Sequence, residues 1–189
     1  HDSAEKNEAD FVVQYYIGKL YLYGRNEMDS VIDLPKAERH LRLAARYAQS
    51  EMRGLPDAAK LCGEAYLHAS IACYAQSNDR LLTDGATDET APLREMLELA
   101  RKSTEVYPQM PEAFYHHARY AALLGDGETC IQSLKRAILM DRNYCLKVDG
   151  DGDFDGARDK VEALKGVLHN EAKGQATPAF KPVKKLLGA

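Results

Sequence analysis

The chain has 189 residues, enough for one domain with a substantial core, and 45% hydrophobic against 29% charged residues makes it a folded globular protein rather than a disordered or collagenous one. Its 25 basic and 29 acidic side chains leave a formal charge of -4, without the broad basic footprint that phosphate-backbone binding needs, so no nucleic-acid partner is expected. The apolar runs are interrupted by Arg, His or Gly well short of the roughly eighteen residues that span a bilayer, so no membrane partner is expected either.

Period-two alternation and Val/Ile/Thr-rich runs hardly occur, whereas Ala, Leu, Glu, Arg and Lys fill the apolar-periodic segments; the sequence predicts an all-α protein. After an N-terminal extension, residues 1–9, a first helix is predicted from Asp10 to Tyr23. Val13, Ile17, Leu20 and Tyr21 form its stripe, and Gly24 provides a left-handed stop. An Asn/Asp/Ser-rich loop follows, and Pro35 opens a second helix, Lys36 to Gln49, whose Ala37, Leu41, Ala44, Ala45 and Ala48 share one face. A third helix runs from Asp57 to Ser77 with Leu61, Ala65, His68, Ala69 and Ala72 in phase. The segment from Arg80 to Ala91, with Asp84-Gly85, has the composition of an extended loop.

Pro92 restarts the helical pattern, with Leu93, Met96, Leu97, Ala100 and Thr104 in phase until Tyr107-Pro108, where the residue before proline is pushed out of the helical region. Pro111 opens the next helix, Gly125-Asp126-Gly127 breaks it, and its partner runs from Glu128 to Met140. An acidic turn, Asp149 to Gly156, then leads to a last helix ending near Glu171, with Val161, Leu164 and Leu168 on one side and Phe154 plugging the seam ahead of it. Residues 172–189, with Pro178, Pro182 and lysines near the close, are expected to be a tail or linker. The start at His1 is expected to mark an excised piece or a processed form. Cys62, Cys73, Cys130 and Cys145 form no C-x-x-C pair, and reduced cysteines in apolar helices fit a cytoplasmic protein.

Helices alternating in pairs call for an internal-repeat comparison. The segment Pro111 to Tyr144 is 34 residues long and resembles a tetratricopeptide repeat. Phe114 stands at the first aromatic position, Ala118 at the small one and Ala121 at the next contact. Cys130, Leu134 and Ala137 match the second helix. In the first unit Ile17-Gly18 and Tyr21 match the Leu-Gly and Tyr positions, and Ala37, Leu41 and Ala44 the second helix. Its Leu-Tyr-x-Tyr-Gly and Asp-Leu-Pro-Lys-Ala stretches are also similar to Sel1-like repeats. In the middle unit Ile71, Ala72, Ala75, Ala100 and Ser103 match. The units are residues 11–49, 57–108 and 111–144, with a capping helix over 155–171, together a repeat domain over 10–171. The resemblance implies an α-α superhelix whose first helices line a concave face, and places Tyr15, Lys19 and Tyr23, then Tyr66 and Gln76, then Tyr115 and Arg119 on it. Val12, Leu22, Ala69, Cys73, Glu112 and Leu123 are implied beside them. It implies a protein or peptide partner, with packing on a neighbouring domain of the same protein or a homo-oligomer as the alternative.

Chemistry-bearing motifs are few. Asp151, Asp153, Asp155 and Glu162 satisfy D-x-D-x-D-G-x5-E, the oxygen-ligand spacing of a calcium loop, which makes a calcium-responsive module the third expectation. The competing reading is an acidic turn whose Asp155 caps the last helix. Adjacent His116 and His117 point in different directions on a helix and lack a metal-binding i, i+4 spacing. G-x-S-x-G, G-x-x-x-x-G-K-[ST] and G-x-G-x-x-G do not occur, so neither catalysis nor a cofactor is expected.

Overall fold

The computed structural model describes residues 2–24, 31–51, 57–83 and 90–175, with the side chains at 2–10, 78–83 and 174–175 outside the description. Among the described residues there is no strand, and eight α-helices follow one another: α1 (Asp2–Tyr23), α2 (Leu34–Glu51), α3 (Ala58–Thr83), α4 (Ala91–Val106), α5 (Pro111–Leu123), α6 (Gly127–Met140), α7 (Asn143–Lys147) and α8 (Arg158–Gln175). Two 3-10 segments, Val148–Gly150 and Gly152–Ala157, join α7 to α8. From α1 to α6 each helix packs on the next, and α1 also touches α3, as α3 touches α5. No helix of the described residues is long and apolar enough to cross a membrane.

Small residues set the spacing within pairs. A Cβ on Gly18 would stand 2.6 Å from Leu41 Cγ, so α1 lies against α2 at a distance only glycine permits. Gly63 does the same in the second pair, where a Cβ would meet that of Tyr107 at 2.6 Å and the Ser103 hydroxyl donates to the Gly63 carbonyl at 2.7 Å. On α2 the expected face is the buried one: Ala37, Leu41, Ala44, Ala45 and Ala48 are all fully enclosed. Gly24 and Gly125 take positive φ, 70° and 75°, where α1 and α5 turn.

Three expectations are corrected. First, α1 begins at Asp2 rather than Asp10, so residues 2–9 are helical. Its buried face is Phe11, Tyr15, Gly18 and Leu22, while Val13 and Leu20 lie outside. The contact at Gly18 decides this, because it turns that side of α1 onto α2. Second, α3 continues to Thr83, and residues 84–89 of the expected loop lie outside the described residues, as do residues 25–30 and 176–189. Third, α8 starts at Arg158 and Asp155 does not cap it. The capping carboxylate is Asp151, which accepts from the Asp153 backbone N–H at 3.1 Å at the head of the 3-10 turn.

The capping helix is built as its pattern predicts. Val148, Phe154, Ala157, Val161 and Leu164 are buried in one cluster with Tyr115, Ala118, Leu134 and Ala137 of α5 and α6. The opposite side of α8 carries Asp159, Lys160, Glu162 and Glu171 into solvent.

Candidate functional site

The row of first helices, α1, α3 and α5, carries the densest set of polar and aromatic side chains. Tyr15 and Tyr115 occupy equivalent positions in the first and third units, three residues before Gly18 and Ala118. Both are buried, and both donate their hydroxyl to a carboxylate beyond their own helix pair: Tyr15 to Glu64 of α3 at 2.7 Å, Tyr115 to Asp151 of the acidic turn at 2.6 Å. Both carry a lysine ammonium over the ring, Lys19 at 5.3 Å and Lys147 at 4.6 Å from the centroids. Burial first, then the accepting carboxylate, raises the pKa of each phenol far above its usual value, so both remain neutral donors.

Between these tyrosines, Tyr23 meets the His68 Nδ1 with its hydroxyl at 2.9 Å, joining α1 to α3. Burial, then the Lys19 cation, holds His68 down at about 4. His116 on α5 is held at about 3 by burial, with Arg119 and Lys147 adding to it. Both imidazoles are therefore neutral at pH 7 and each sits beside a tyrosine hydroxyl, His116 beside Tyr120 at 3.3 Å. The Glu112 carboxylate acts at both ends of the row: after burial, it helps push Tyr23 on α1 and Tyr144 on α7 up to about 12.

Arg119 is the hub at the far end. Its guanidinium reaches Asp153 at 2.5 Å and Asp151 at 3.4 Å, donates to the Tyr74 hydroxyl at 3.1 Å, and lies 4.4 Å above the Tyr74 ring. Tyr74 in turn donates to Asp153 at 2.8 Å. Helix α3, helix α5 and the acidic turn are thus tied through one cation and two half-buried carboxylates.

The structure separates the residues that the sequence groups together. Tyr15 and Tyr115 lie inside the packing, exposing 4% and 1%, and Leu22, Ala69 and Cys73 are buried too. Tyr66 and Gln76 face the second helices instead of the row. Tyr66 donates to Gln49 of α2 at 2.9 Å and lies under Lys102 of α4, and Gln76 donates to Glu38 of α2 at 2.6 Å. Lys19, Tyr23, Glu112 and Arg119 keep solvent access, and His68, Tyr144 and Lys147 join them. Of these three, Tyr144 closes the third unit and Lys147 follows it closely enough in sequence to be drawn into the next turn of the same array.

In the acidic turn the four carboxylates of the calcium spacing go to different partners. Asp151 and Asp153 turn inward to Tyr115, Tyr74 and Arg119, Asp155 pairs with Arg158 at 2.6 Å, and Glu162 pairs with Lys165 at 3.2 Å. Among the described residues the one group of ligand atoms within 4.8 Å of one another is Glu38, Cys73 and Glu95, and Arg42 bridges its two carboxylates at 2.8 and 2.5 Å.

The site therefore belongs to an all-helical chain of consecutively packed pairs, with neutral phenols, neutral imidazoles and paired ions along one row of helices. No family model matches the chain, and no curated protein matches its sequence.

Proposed function

We propose that the chain is a non-catalytic protein-binding module, an α-α superhelix of three tetratricopeptide-like or Sel1-like helix pairs with a capping helix, that holds a peptide or protein segment in the groove along α1, α3 and α5. The observation that supports the reading is the contact of first helix with first helix, α1 with α3 and α3 with α5: Tyr23 meets His68 across the first of these contacts, Lys19, Glu112 and Arg119 stand on the same helices, and Tyr144 and Lys147 reach them through Tyr115. Tyrosines and long cations give large contact area with hydrogen-bonding tips, the composition of binding hot spots. The buried Tyr15 and Tyr115 are the frame of this surface. On the same reading the acidic turn is a clamp that fixes Arg119 and the capping helix.

The test is affinity capture from native extract with the wild-type chain, a Lys19→Glu, Tyr23→Ala, Lys147→Glu variant, and a Lys102→Glu, Arg136→Glu control on the second helices. All three should give the same far-UV circular dichroism. A specific partner lost from the first variant and kept by the control is expected. A partner kept by the first variant and lost from the control would move binding to the second helices and overturn the groove assignment.

A further inference from the structure

The internal register of the repeats marks a second surface, which meets the row of first helices at Tyr23. With Gly18 and Ala118 as equivalent positions, Val13, Tyr16, Leu20 and Tyr23 of α1 correspond to Ala113, His116, Tyr120 and Leu123 of α5. On α5 that face is closed. Ala113 and Tyr120 are fully buried and His116 exposes 7%, because Tyr120 and Leu123 pack with Cys73, Met96, Ala100, Leu93 and Leu97 of the preceding pair. On α1 the same face is open: Val13 exposes 50%, Tyr16 64%, Leu20 37% and Tyr23 52%. It lies on the side of α1 away from Phe11, Tyr15, Gly18 and Leu22, so α1 is apolar on two opposite faces and buries one. The far end of the stack is finished differently, by α8 with its charged outer side. A helical array needs a polar cover at both ends, and the α1 end has none among the described residues.

We propose that the open face of α1 is a self-association surface on which α1 of a second copy packs antiparallel about a two-fold axis. The face continues an interface that already exists inside the chain, since its α5 counterpart is seated on helices, so a helix is the shape it accepts. The spacing suits a second copy. Positions 13, 16, 20 and 23 are symmetric about position 18, so an antiparallel partner sets Tyr16 over Leu20 and Val13 over Tyr23 of the other copy, apolar on apolar along the whole stripe. Such self-complementarity is what an isologous contact requires. The stripe is on the order of a few hundred Å² of surface, the scale of the largest exposed patch on a typical monomer, which is often functional. Being below the standard interface area, it fits a weak, reversible dimer.

The full chain should show concentration-dependent dimerisation in sedimentation velocity. A Tyr16→Glu, Leu20→Glu variant places carboxylates on the open face and should stay monomeric, with dimer affinity down by roughly tenfold or more and an unchanged circular-dichroism spectrum. In a Cys145→Ser background, a mixture of Val13→Cys and Tyr23→Cys chains should give disulfide-linked heterodimers under mild oxidant, and each chain alone far fewer. A monomer at every concentration, a dimer that persists in the double-glutamate variant, or cross-linking of Val13→Cys mainly with itself would each overturn the proposal.

Discussion

Tyr115 shows how much of this protein hangs on single polar atoms. Its hydroxyl is enclosed and donates to Asp151, whose other oxygen caps the 3-10 turn, so Tyr115→Phe leaves a half-buried carboxylate oxygen without its nearest donor. Tyr115→Phe should cost about 1–3 kcal/mol in a urea unfolding curve, and Tyr15→Phe a similar amount through Glu64. His68 and His116 set a pH dependence whose sign follows from their depressed pKa values. In the unfolded chain both imidazoles titrate near ~6.5, whereas in the fold they stay neutral to about 4 (His68) and about 3 (His116). The unfolded state binds the protons first. Stability from this source is complete above pH ~6.5 and declines as the pH falls toward the folded values. The melting temperature should therefore drop between pH ~6.5 and ~5, above the range where most carboxylates titrate. A His68→Gln, His116→Gln variant should be flatter there, and an equal slope in the variant would assign the effect to other groups. At this scale the sequence discloses residue types but not partners. Whether a tyrosine such as Tyr15 or Tyr115 packs or faces solvent depends on the carboxylate opposite, and Glu64 and Asp151 lie 49 and 36 residues away.

At the scale of elements, the glycines divide into those that permit a crossing and those that do not. Gly18→Ala drives a methyl into Leu41 and should destabilise by about 1–3 kcal/mol. Gly166, in the exposed middle of α8 where an added Cβ would have nothing within 4 Å, should respond oppositely. Gly166→Ala should gain about 0.5–1 kcal/mol from helix propensity. Thermal melts of the two variants read both signs in one comparison. Phe154→Ala should cost about 3–5 kcal/mol, since its ring is fully enclosed between α5 and the capping helix. The helices on which one face is buried are legible in the sequence: α2 and α8 bury the stripe their periodicity marks. Helix α1 is not, because apolar residues on two opposite sides cancel the periodic signal and let Val13 and Leu20 pass for core. The extension of α3 through Leu81 and Leu82 is hidden by the Asp- and Thr-rich composition that follows. The acidic turn shows the same limit: a pattern fixes which residues alternate along the chain and not where they point, and Arg119 on α5 pairs with two of the four carboxylates of the calcium spacing.

For the molecule as a whole, function is proposed from one geometric relation: first helices touch first helices, so the side chains between them form one continuous surface. The pairwise order of helices is readable from Gly, Pro and Asp punctuation, because helix ends are local. The surface is only partly so, since its membership depends on how successive pairs rotate against each other, which puts Tyr66 and Gln76 on the second-helix side and brings His68, Tyr144 and Lys147 to the first. The most direct test is hydrogen–deuterium exchange of the full chain with and without a peptide selected against it from a random display library. A groove along the first helices predicts slowed exchange in α1, α3 and α5 near Lys19, His68 and Glu112 and at α7 near Lys147, with α2, α4 and α6 unchanged. Protection confined to α2, α4 and α6 would contradict it.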